Sequence, residues 1–373
     1  MQYIHEHPNW PAFTWDVERV APVLAAVRHR QGRLLGRMEG LGFALRAEAG
    51  LLTLTEDVVT TSAIEGETLD RQEVRSSIAR RLGIDAAGLV PANRDVDGIV
   101  EIMIDATRKY ADRLTAERLF DWHAALFPTG RSGLHKITVA AWRTAEAGPM
   151  QVVSGPYGRE TVHFEAPTAD RLDCEMQRFL DWFETPDVVA DPVIRAGLAH
   201  LWFVTIHPFE DGNGRIARAI ADMALSRADG SPERFYSMSA RIAAERQGYY
   251  RALERQQRAD LDVTPWLDWF LGCLDRAMDD AEATLAAVLF KARFWSWVNR
   301  EPVNVRQQTV LNRLLDGFVG PLTSSKYAKL TKCSLDTALR DIQALVARGV
   351  LIQNEAGGRS TSYRLAQSDE IAI

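Results

Sequence analysis

The stretch TIHPFEDGNGRIAR, from Thr205 to Arg218, holds the side chains of this chain most able to do chemistry. His207 can act as a general base near neutral pH, because an imidazole ordinarily titrates there. Asp211 offers a hard oxygen ligand suited to a Mg²⁺ ion that bridges phosphates. Arg215 and Arg218 lie three residues apart on one side of a helical turn, where their guanidinium groups can grip phosphate oxygens. The set suits a nucleoside triphosphate that is attacked by a hydroxyl group.

The elements around this stretch must place the base beside the phosphate groups. Apolar residues recur at helical spacing over IRAGLAHLWFVTI, and Pro208 ends that helix just after His207. A new helix starts near Asn213, and the intervening DGNG is permissive backbone that can turn several N–H groups toward an anion. Unpaired N–H groups and the helix dipole then predict a phosphate site. Phe209 is expected to anchor the turn in the core.

Other readings of the same stretch fail on detail. The chain has no Gly-Lys-Ser/Thr loop, and no dinucleotide-binding glycine pattern follows a strand. Asn-Gly often marks a tight hairpin, but the helical spacing on both sides opposes one. The remaining alternative is a plain helix-turn-helix corner with a core histidine. The many residues specified together weigh against it.

Composition places few further limits on function. A chain of 373 residues suggests two or three domains, and 46% hydrophobic with 25% charged residues is typical of a globular protein. The net charge of -6 gives no overall attraction to nucleic acid or to an anionic membrane. The three cysteines argue against a disulfide framework. With no membrane-spanning run and no signal-peptide pattern, a cytoplasmic protein without a membrane partner is expected.

Helical periodicity predicts a mainly α fold with three parts: an N-terminal helical domain over 1–112, a core over 113–290 and a C-terminal module over 295–366. Strand character is clearest from Met150 to Ala166, which predicts a hairpin. The predicted helices include Val17–Leu41, Ala47–Ile64, Asp70–Leu82, Val96–Tyr110 and a single helix over Ser239–Gln257. The last part has the helix order and Gly-turned hairpin of a winged helix-turn-helix.

The motif from His207 to Arg218, with every position matched, resembles the signature of the Fic family. The resemblance extends over about Thr115 to Leu274 and includes the preceding hairpin, YYRAL and DVTPWLDWFL. It implies an α-helical fold and Mg²⁺-dependent transfer of AMP from ATP to a Ser, Thr or Tyr hydroxyl of a target protein. By this resemblance, His207 deprotonates the target and Asp211 holds Mg²⁺. The phosphates are then held by Gly212, Asn213, Gly214, Arg215 and Arg218.

The hairpin and a tyrosine pair are expected to position the target and the adenine. In Fic proteins a hairpin of this kind, the flap, aligns the target hydroxyl, and an exposed strand edge can add an extended segment through backbone bonds. The flap residues here would be Val152, Val153, Ser154, Val162, His163 and Phe164. An ordinary protective hairpin is the alternative. Tyr249 and Tyr250 are candidates for contact with adenine, or for core packing.

A second motif, TTSAIEGETL, predicts a built-in restraint. Thr61 and Glu65 lie four apart on one helical face, and Gly66 ends the helix. The alternative is a solvated glutamate at a helix end. The pattern resembles the Fic inhibitory motif, here on a helix over about 51–66, in which the glutamate pairs with the last arginine, Arg218. The same glutamate could instead orient a water that removes AMP from a modified target, so the direction of the reaction stays open.

The C-terminal module raises a different class of function. Residues 301–366 contain nine Lys or Arg and five Asp or Glu, a net charge of +4. Ser334, Thr337, Arg340 and Gln343 would project from the second helix of the turn, Ser334–Arg348, with Arg359 and Arg364 flanking the wing. Such a module binds DNA or another protein, a second copy of this chain included. A DNA-binding regulator whose Fic domain acts as a sensor is therefore an alternative.

Overall fold

The computed structural model describes residues 3–84, 89–155, 158–159, 161–185, 191–315, 318, 320–354, 361–367 and 370. The chain divides into two compact units, Met1–Ala283 and Thr284–Ile373. The fold is mostly helical, as predicted. In chain order the first helices are α1 (Val17–Glu39), α2 (Phe43–Ile64), α3 (Arg71–Leu82), α4 (Arg94–Arg108), α5 (Ala116–Leu126) and α6 (Leu172–Glu184). They are followed by α7 (Pro192–Ile206), α8 (Asn213–Asp229), α9 (Met238–Ala244), α10 (Arg246–Gln257) and α11 (Thr264–Val298).

Two antiparallel hairpins lie between α5 and α6. The first joins β1 (Arg131–Ser132) to β2 (His135–Lys136). The second is the predicted flap, in which β3 (Gln151–Ser154) pairs with β4 (Thr161–Glu165) and the register shifts between Val152 and Val153. The sequence predicted the second hairpin but not the first, because two-residue strands leave no alternation to detect.

Local sequence signals explain several helix boundaries. The Asp16 carboxylate accepts a hydrogen bond from the Arg19 N–H and caps α1, and Asp70 caps α3 in the same way. The helix predicted over Ser239–Gln257 is instead two helices, since Glu245 leaves helical geometry between α9 and α10. The Glu245 carboxylate is bound by the nearby Arg241 and by Arg276 on α11, and only the second is a tertiary contact that periodicity does not reveal.

The helices α7 and α8 form the centre of the first unit. Nearly every residue of α7 is buried, which is the pattern of a helix surrounded by others. It packs against α8, and α8 is also contacted by α2, α4 and α5. The break between α7 and α8 therefore sits among elements that hold it on several sides.

The interface of α2 with α8 and α9 contains buried charges. The Arg234 guanidinium donates to the Asp222 carboxylate at 2.9 Å, and both side chains are almost fully buried. On α2, the Asp57 carboxylate accepts a hydrogen bond from the Ser237 hydroxyl. Burial, with the nearby charge of Asp222, raises the pKa of Asp57 well above its usual range. We therefore expect Asp57 to be protonated and Asp222 to carry the charge that pairs with Arg234.

The second unit places three helices before a hairpin. These elements are α12 (Val305–Leu315), α13 (Ser324–Thr331), α14 (Leu335–Ala347), β5 (Leu351–Gln353) and β6 (Tyr363–Leu365). Their core includes Leu311, Tyr327, Ile342 and Leu345. This is the order of elements on which the winged-helix prediction depends.

The exposed side of α14 is only partly polar. Arg340 and Gln343 are exposed, as predicted, but Leu335 and Leu339 are exposed beside them. The Arg364 guanidinium is already paired with the Glu370 carboxylate at 2.6 Å, and Arg359 lies outside the described residues. An apolar patch offers little to phosphates or base edges, so DNA binding by this module stays a prediction.

The buried charges of the α2 interface give a stability prediction. Because the pKa of Asp57 is raised in the folded state, folding at a pH above the unfolded pKa requires this carboxylate to take up a proton, which costs stability at neutral pH. The substitution Asp57→Asn should leave the free energy of unfolding unchanged or raise it. The substitution Asp222→Asn removes the carboxylate that accepts a hydrogen bond from the buried Arg234 guanidinium and should cost about 3–5 kcal/mol. Urea denaturation at pH 7 measures both, and a larger loss for Asp57→Asn would contradict this assignment.

Candidate nucleotide-binding and catalytic site

His207 stands at the end of α7 in a backbone conformation suited to leaving a helix. Its φ of 52° is left-handed, and its N–H still donates to the Phe203 carbonyl at 3.0 Å. The Arg143 side chain, which is buried, donates to the His207 carbonyl at 2.8 Å, and the Arg143 N–H donates to the Pro208 carbonyl. Arg143 therefore fixes the turn after the helix from outside the motif.

The imidazole of His207 is held as a neutral base. Its Nδ1 lies 3.1 Å from the Val204 carbonyl oxygen, which can only accept, so Nδ1 carries the proton and Nε2 has a free lone pair. Burial, with the positive charge of Arg143, lowers the pKa of His207 to about 4. At neutral pH the side chain can thus receive a proton at Nε2.

Asn213 closes the loop that follows. Its Oδ1 accepts from the Phe209 N–H at 3.0 Å and its Nδ2 donates to the Phe209 carbonyl at 2.8 Å. The Phe209 ring is fully buried, as the sequence predicted, and stacks on the His123 ring at 4.1 Å. Asn213 can therefore contact a phosphate through its backbone N–H, since its side chain is used to shape the loop.

The start of α8 has the character of an anion cradle. Gly212 precedes the helix with a φ of 82°, and the N–H groups of Asn213, Gly214 and Arg215 have no carbonyl one turn earlier in the helix. A Cβ on Gly212 would come within 3.0 Å of the Phe127 ring, so the loop packs tightly against α5. These N–H groups and the helix dipole favour a negative charge at this position.

A negative charge is present there, and it belongs to Glu65. Its carboxylate accepts from the Arg218 guanidinium at 2.7 Å, and a Cβ on Gly214 would collide with it. Thr61 holds the same arginine, because its hydroxyl accepts from Arg218 Nε at 2.7 Å and its carbonyl from Nη2 at 3.0 Å. The Arg218 side chain is only 2% exposed, against 31% for Glu65. The predicted partners Glu65 and Arg218 are therefore in contact, and Thr61 binds the same arginine.

Asp211 faces β1 across the loop. The Ser132 hydroxyl donates to its Oδ2, and the Gly212 N–H donates to its Oδ1 at 2.5 Å. His123 fixes the backbone of the same residue, with Nε2 3.2 Å from the Asp211 carbonyl oxygen and Nδ1 accepting from the Ala140 N–H. Burial lowers the pKa of His123 to about 4, so it remains neutral.

The carboxylate of Asp211 suits Mg²⁺, although no described cluster of three or more His, Cys, Asp or Glu could hold a metal ion. Mg²⁺ usually takes one or two carboxylates, keeps several waters and completes its shell with phosphate oxygens. A single half-exposed carboxylate beside an anion cradle meets that requirement. Asp211 therefore fits a metal that arrives with its triphosphate.

The two tyrosines of α10 differ in their surroundings. Tyr249 is 1% exposed, and its hydroxyl lies 2.9 Å from His200 Nε2. Its ring therefore offers almost no accessible surface for the predicted contact with adenine. Tyr250 is 40% exposed and donates from its hydroxyl to the Ile64 carbonyl at 3.3 Å, at the end of α2. Contact with adenine stays a prediction for Tyr250.

The flap residues also divide. Val152, Val153 and Ser154 on β3 are exposed, whereas Phe164 is buried and packs edge-on against Tyr3 and His5. Phe164 therefore supports the flap from behind and cannot contact a target through its ring.

His163 ties the flap to α10. Its Nε2 lies 2.6 Å from the Ser154 hydroxyl and its Nδ1 3.1 Å from the Glu254 carboxylate. Arg258 donates to the carbonyls of Val162 and His163. The His163 side chain is thus half-buried and held by contacts within the protein.

Several residues of the site had no clear sequence signal. His123, Ser132 and Arg143 act through contacts between distant segments, and none of them lies in a periodic or spaced pattern. Glu67 is different, because it follows Glu65 by two residues and its carboxylate accepts from the Arg215 guanidinium at 2.7 Å. Two carboxylates separated by one glycine were visible in the sequence, but only the first was interpreted.

Comparison with known proteins finds a matching family model and structures of the same fold. Residues 113–225 match the Fic/DOC family model, and residues 3–84 match a domain of unknown function (DUF4172). A Fic family protein from Desulfovibrio desulfuricans G20 has the same fold, with a TM-score of 0.51 at 22% identity over 95% of this chain and 98% of that chain. A Fic domain containing signaling protein from Bacteroides thetaiotaomicron gives 0.50 at 18% identity over 72% and 97%. The segment 113–225, which contains the loop between α7 and α8, thus matches the Fic/DOC family model, and the two structures share the fold of this chain.

Curated relatives of this chain bear the name protein adenylyltransferase Fic. The protein from Nematostella vectensis is 22% identical over 229 residues, which span 60% of this chain and 48% of the relative. That from Drosophila mojavensis is 26% identical over 221 residues, 58% of this chain and 39% of the relative. The chain thus spans less than half the length of either relative. Within the described residues, no helix is long and apolar enough to cross a membrane.

The environment of His207 predicts its titration. With a pKa of about 4, the imidazole should stay neutral with its proton on Nδ1 between pH 8 and pH 6, so a base at this position loses nothing over that range. NMR of histidine-labelled protein measures the titration, and the His207→Gln variant identifies the signal. A midpoint between pH 6 and pH 7 would contradict the neutral-base assignment.

Proposed function

We propose that this chain is a protein adenylyltransferase that transfers AMP from ATP to a Ser, Thr or Tyr hydroxyl of a target protein and is restrained by Glu65. The observation that carries the proposal is the Glu65 carboxylate, which is bound to Arg218 and lies against Gly214 at the start of α8. An anion held at this position supports the idea that the cradle binds anions, and the family supports a nucleotide as the anion.

The triphosphate would be bound by backbone and by cations. The N–H groups of Asn213, Gly214 and Arg215 point from the first turn of α8 toward the α- and β-phosphates. Arg215 and Arg218 would hold the outer phosphates once they leave their carboxylate partners. Tyr250, exposed on α10, is the side chain available to adenine.

Asp211 would hold the Mg²⁺ ion, with Ser132 and the Gly212 N–H orienting its carboxylate. When bound, the ion neutralises part of the phosphate charge. The other contributions to the transfer reaction would come from side chains of this protein, chiefly from His207 as the base.

The transfer step needs one proton to move. The oxygen of the target hydroxyl forms a bond to the α-phosphorus, and the bond from that phosphorus to the bridging oxygen breaks, so pyrophosphate leaves. His207 Nε2 accepts the hydroxyl proton. The neutral state of His207 in the structure suits this role, because a protonated imidazole could not accept it.

The target would be aligned by the flap. All four residues of β3 are exposed, whereas carbonyls of β4 are engaged by Arg258. An extended target segment could therefore pair with β3 through backbone bonds, independently of its side chains. Val152 and Val153 would provide an apolar contact beside it.

Glu65 would restrain the reaction in two ways. It occupies Arg218, which then cannot bind the γ-phosphate, and its negative charge repels the triphosphate from the cradle. Arg218 is nearly fully buried and is also held by Thr61, so the closed arrangement is well anchored.

A test compares wild type, Glu65→Gly and His207→Ala with labelled ATP, Mg²⁺ and a cell lysate. We expect Glu65→Gly to raise incorporation into protein by about tenfold or more, on the scale by which one charged contact changes a rate in a preorganised site. His207→Ala, alone or with Glu65→Gly, should abolish labelling. Unchanged incorporation by Glu65→Gly would refute the restraint, and labelling by His207→Ala would refute the mechanism.

The position of Glu65 also favours a second candidate, removal of AMP from a modified target. Its carboxylate lies against the cradle, where it could orient a water toward a bound phosphate. Protein labelled by Glu65→Gly would be purified and incubated with wild type. Release of labelled AMP by wild type, but not by Glu65→Gly or His207→Ala, would assign the reverse reaction to the resting enzyme.

A further inference from the structure

Glu67 makes an ion pair inside the site that the Fic motif does not account for. Its carboxylate accepts from Arg215 Nη1 at 2.7 Å. The Arg215 side chain is 6% exposed and that of Glu67 is 50% exposed. The arginine that the proposed function assigns to a phosphate is thus engaged by a carboxylate, like Arg218.

One turn of backbone aims both carboxylates at α8. Glu65 ends α2, and Gly66 follows with a φ of 88°, a left-handed conformation that glycine adopts at little cost. The Glu67 N–H then donates back to the Ser62 carbonyl at 3.0 Å, which closes the turn. Because Arg215 and Arg218 are three residues apart in the first turn of α8, two glutamates on either side of one glycine reach both.

We propose that Glu67 is a second determinant of triphosphate affinity, which withholds Arg215 from phosphate as Glu65 withholds Arg218. The inference rests on the proposed function, since it gives Arg215 a role at the phosphates. It extends the restraint from one arginine to both cations of the cradle. Charge explains the effect: with both pairs formed, the two arginine charges are balanced before the triphosphate arrives.

Other contacts of Arg215 would keep its side chain beside the cradle when the ion pair with Glu67 opens. Its guanidinium lies 5.2 Å from the centre of the Phe127 ring, and the same ring borders the space over Gly212. Its Nε is buried and has no hydrogen-bond partner among the described residues. A phosphate oxygen entering the cradle would give this arginine a partner of higher charge than a single carboxylate.

The two pairs differ in depth, and therefore in strength. Glu65 holds an arginine that is also bound by Thr61, whereas Glu67 is half-exposed and has solvent as an alternative. Half-exposed ion pairs contribute little and weaken as salt rises. The Glu67 pair should thus open more readily than the Glu65 pair, so Glu67 sets nucleotide affinity more than it blocks turnover.

The test measures ATP affinity by calorimetry with Mg²⁺ for the full chain and for Glu67→Gln, in the wild-type and Glu65→Gly backgrounds. We expect Glu67→Gln to tighten ATP binding in the Glu65→Gly background by about two- to fivefold at low salt, less at 0.5 M salt. The effect should vanish when Arg215→Gln is added, because the interaction it removes is then already absent.

A matched control is Glu56→Gln, which removes another exposed ion pair of α2, with Arg71 at 2.5 Å, away from the cradle. It should leave ATP affinity unchanged, and melting temperatures should show that all variants fold. If Glu67→Gln weakens ATP binding, Glu67 positions Arg215 for the phosphate and the inference is wrong. No change in affinity, or an effect that survives Arg215→Gln, would also overturn it.

Failure of this inference is separable from failure of the proposed function. ATP affinity reports on Glu67 even if no protein is ever labelled, and labelling by Glu65→Gly establishes transfer even if Glu67→Gln changes nothing. Loss of ATP binding in every variant would reject both.

Discussion

The first turn of α8 has N–H groups that find no hydrogen-bond acceptor within the helix. The residues around this turn fix the backbone so that these groups stay available to an anion. Asn213 shapes the loop by bonding both backbone groups of Phe209, and Arg143 fixes the turn behind His207. The open groups are thereby aimed at one small volume next to the base. In the structure the Glu65 carboxylate lies against Gly214 in this turn, and in the proposed reaction a phosphate would bind beside the same turn. Every assigned role depends on which anion is present.

The element that supplies the carboxylate is attached through polar contacts. Asp57 and Thr61 on α2 are buried and four residues apart, as are Arg218 and Asp222 on α8, and Glu65 follows Thr61 by four residues just past the end of α2. Buried polar pairs of this kind add less stability than apolar packing but tolerate fewer arrangements. A helix attached in this way has a defined position, which an inhibitor that acts through a single carboxylate requires.

Much of this site could be predicted from the sequence, for reasons that differ between residues. The helix break at Pro208, the cradle and the pairing of Glu65 with Arg218 follow from residue types at short spacing or from the family motif. The sequence could not predict which of Tyr249 and Tyr250 is buried, because the two are adjacent residues of the same type and differ only in the side chains that pack against them. His123, Ser132 and Arg143 contact the loop from segments about 65–90 residues away, and no local pattern encodes such contacts. The split between α9 and α10 was missed because Glu245 is bound by arginines at different distances along the chain.

The space beside Gly214 limits which substitutions this site can accept. The volume that a Cβ would occupy there is taken by the Glu65 carboxylate. A side chain at this position would displace that carboxylate and, in the proposed reaction, would also crowd a phosphate bound at the start of α8. Variation in the strength of the restraint is confined to α2 and the turn after it. Regulation can then diverge between relatives while the catalytic motif stays the same.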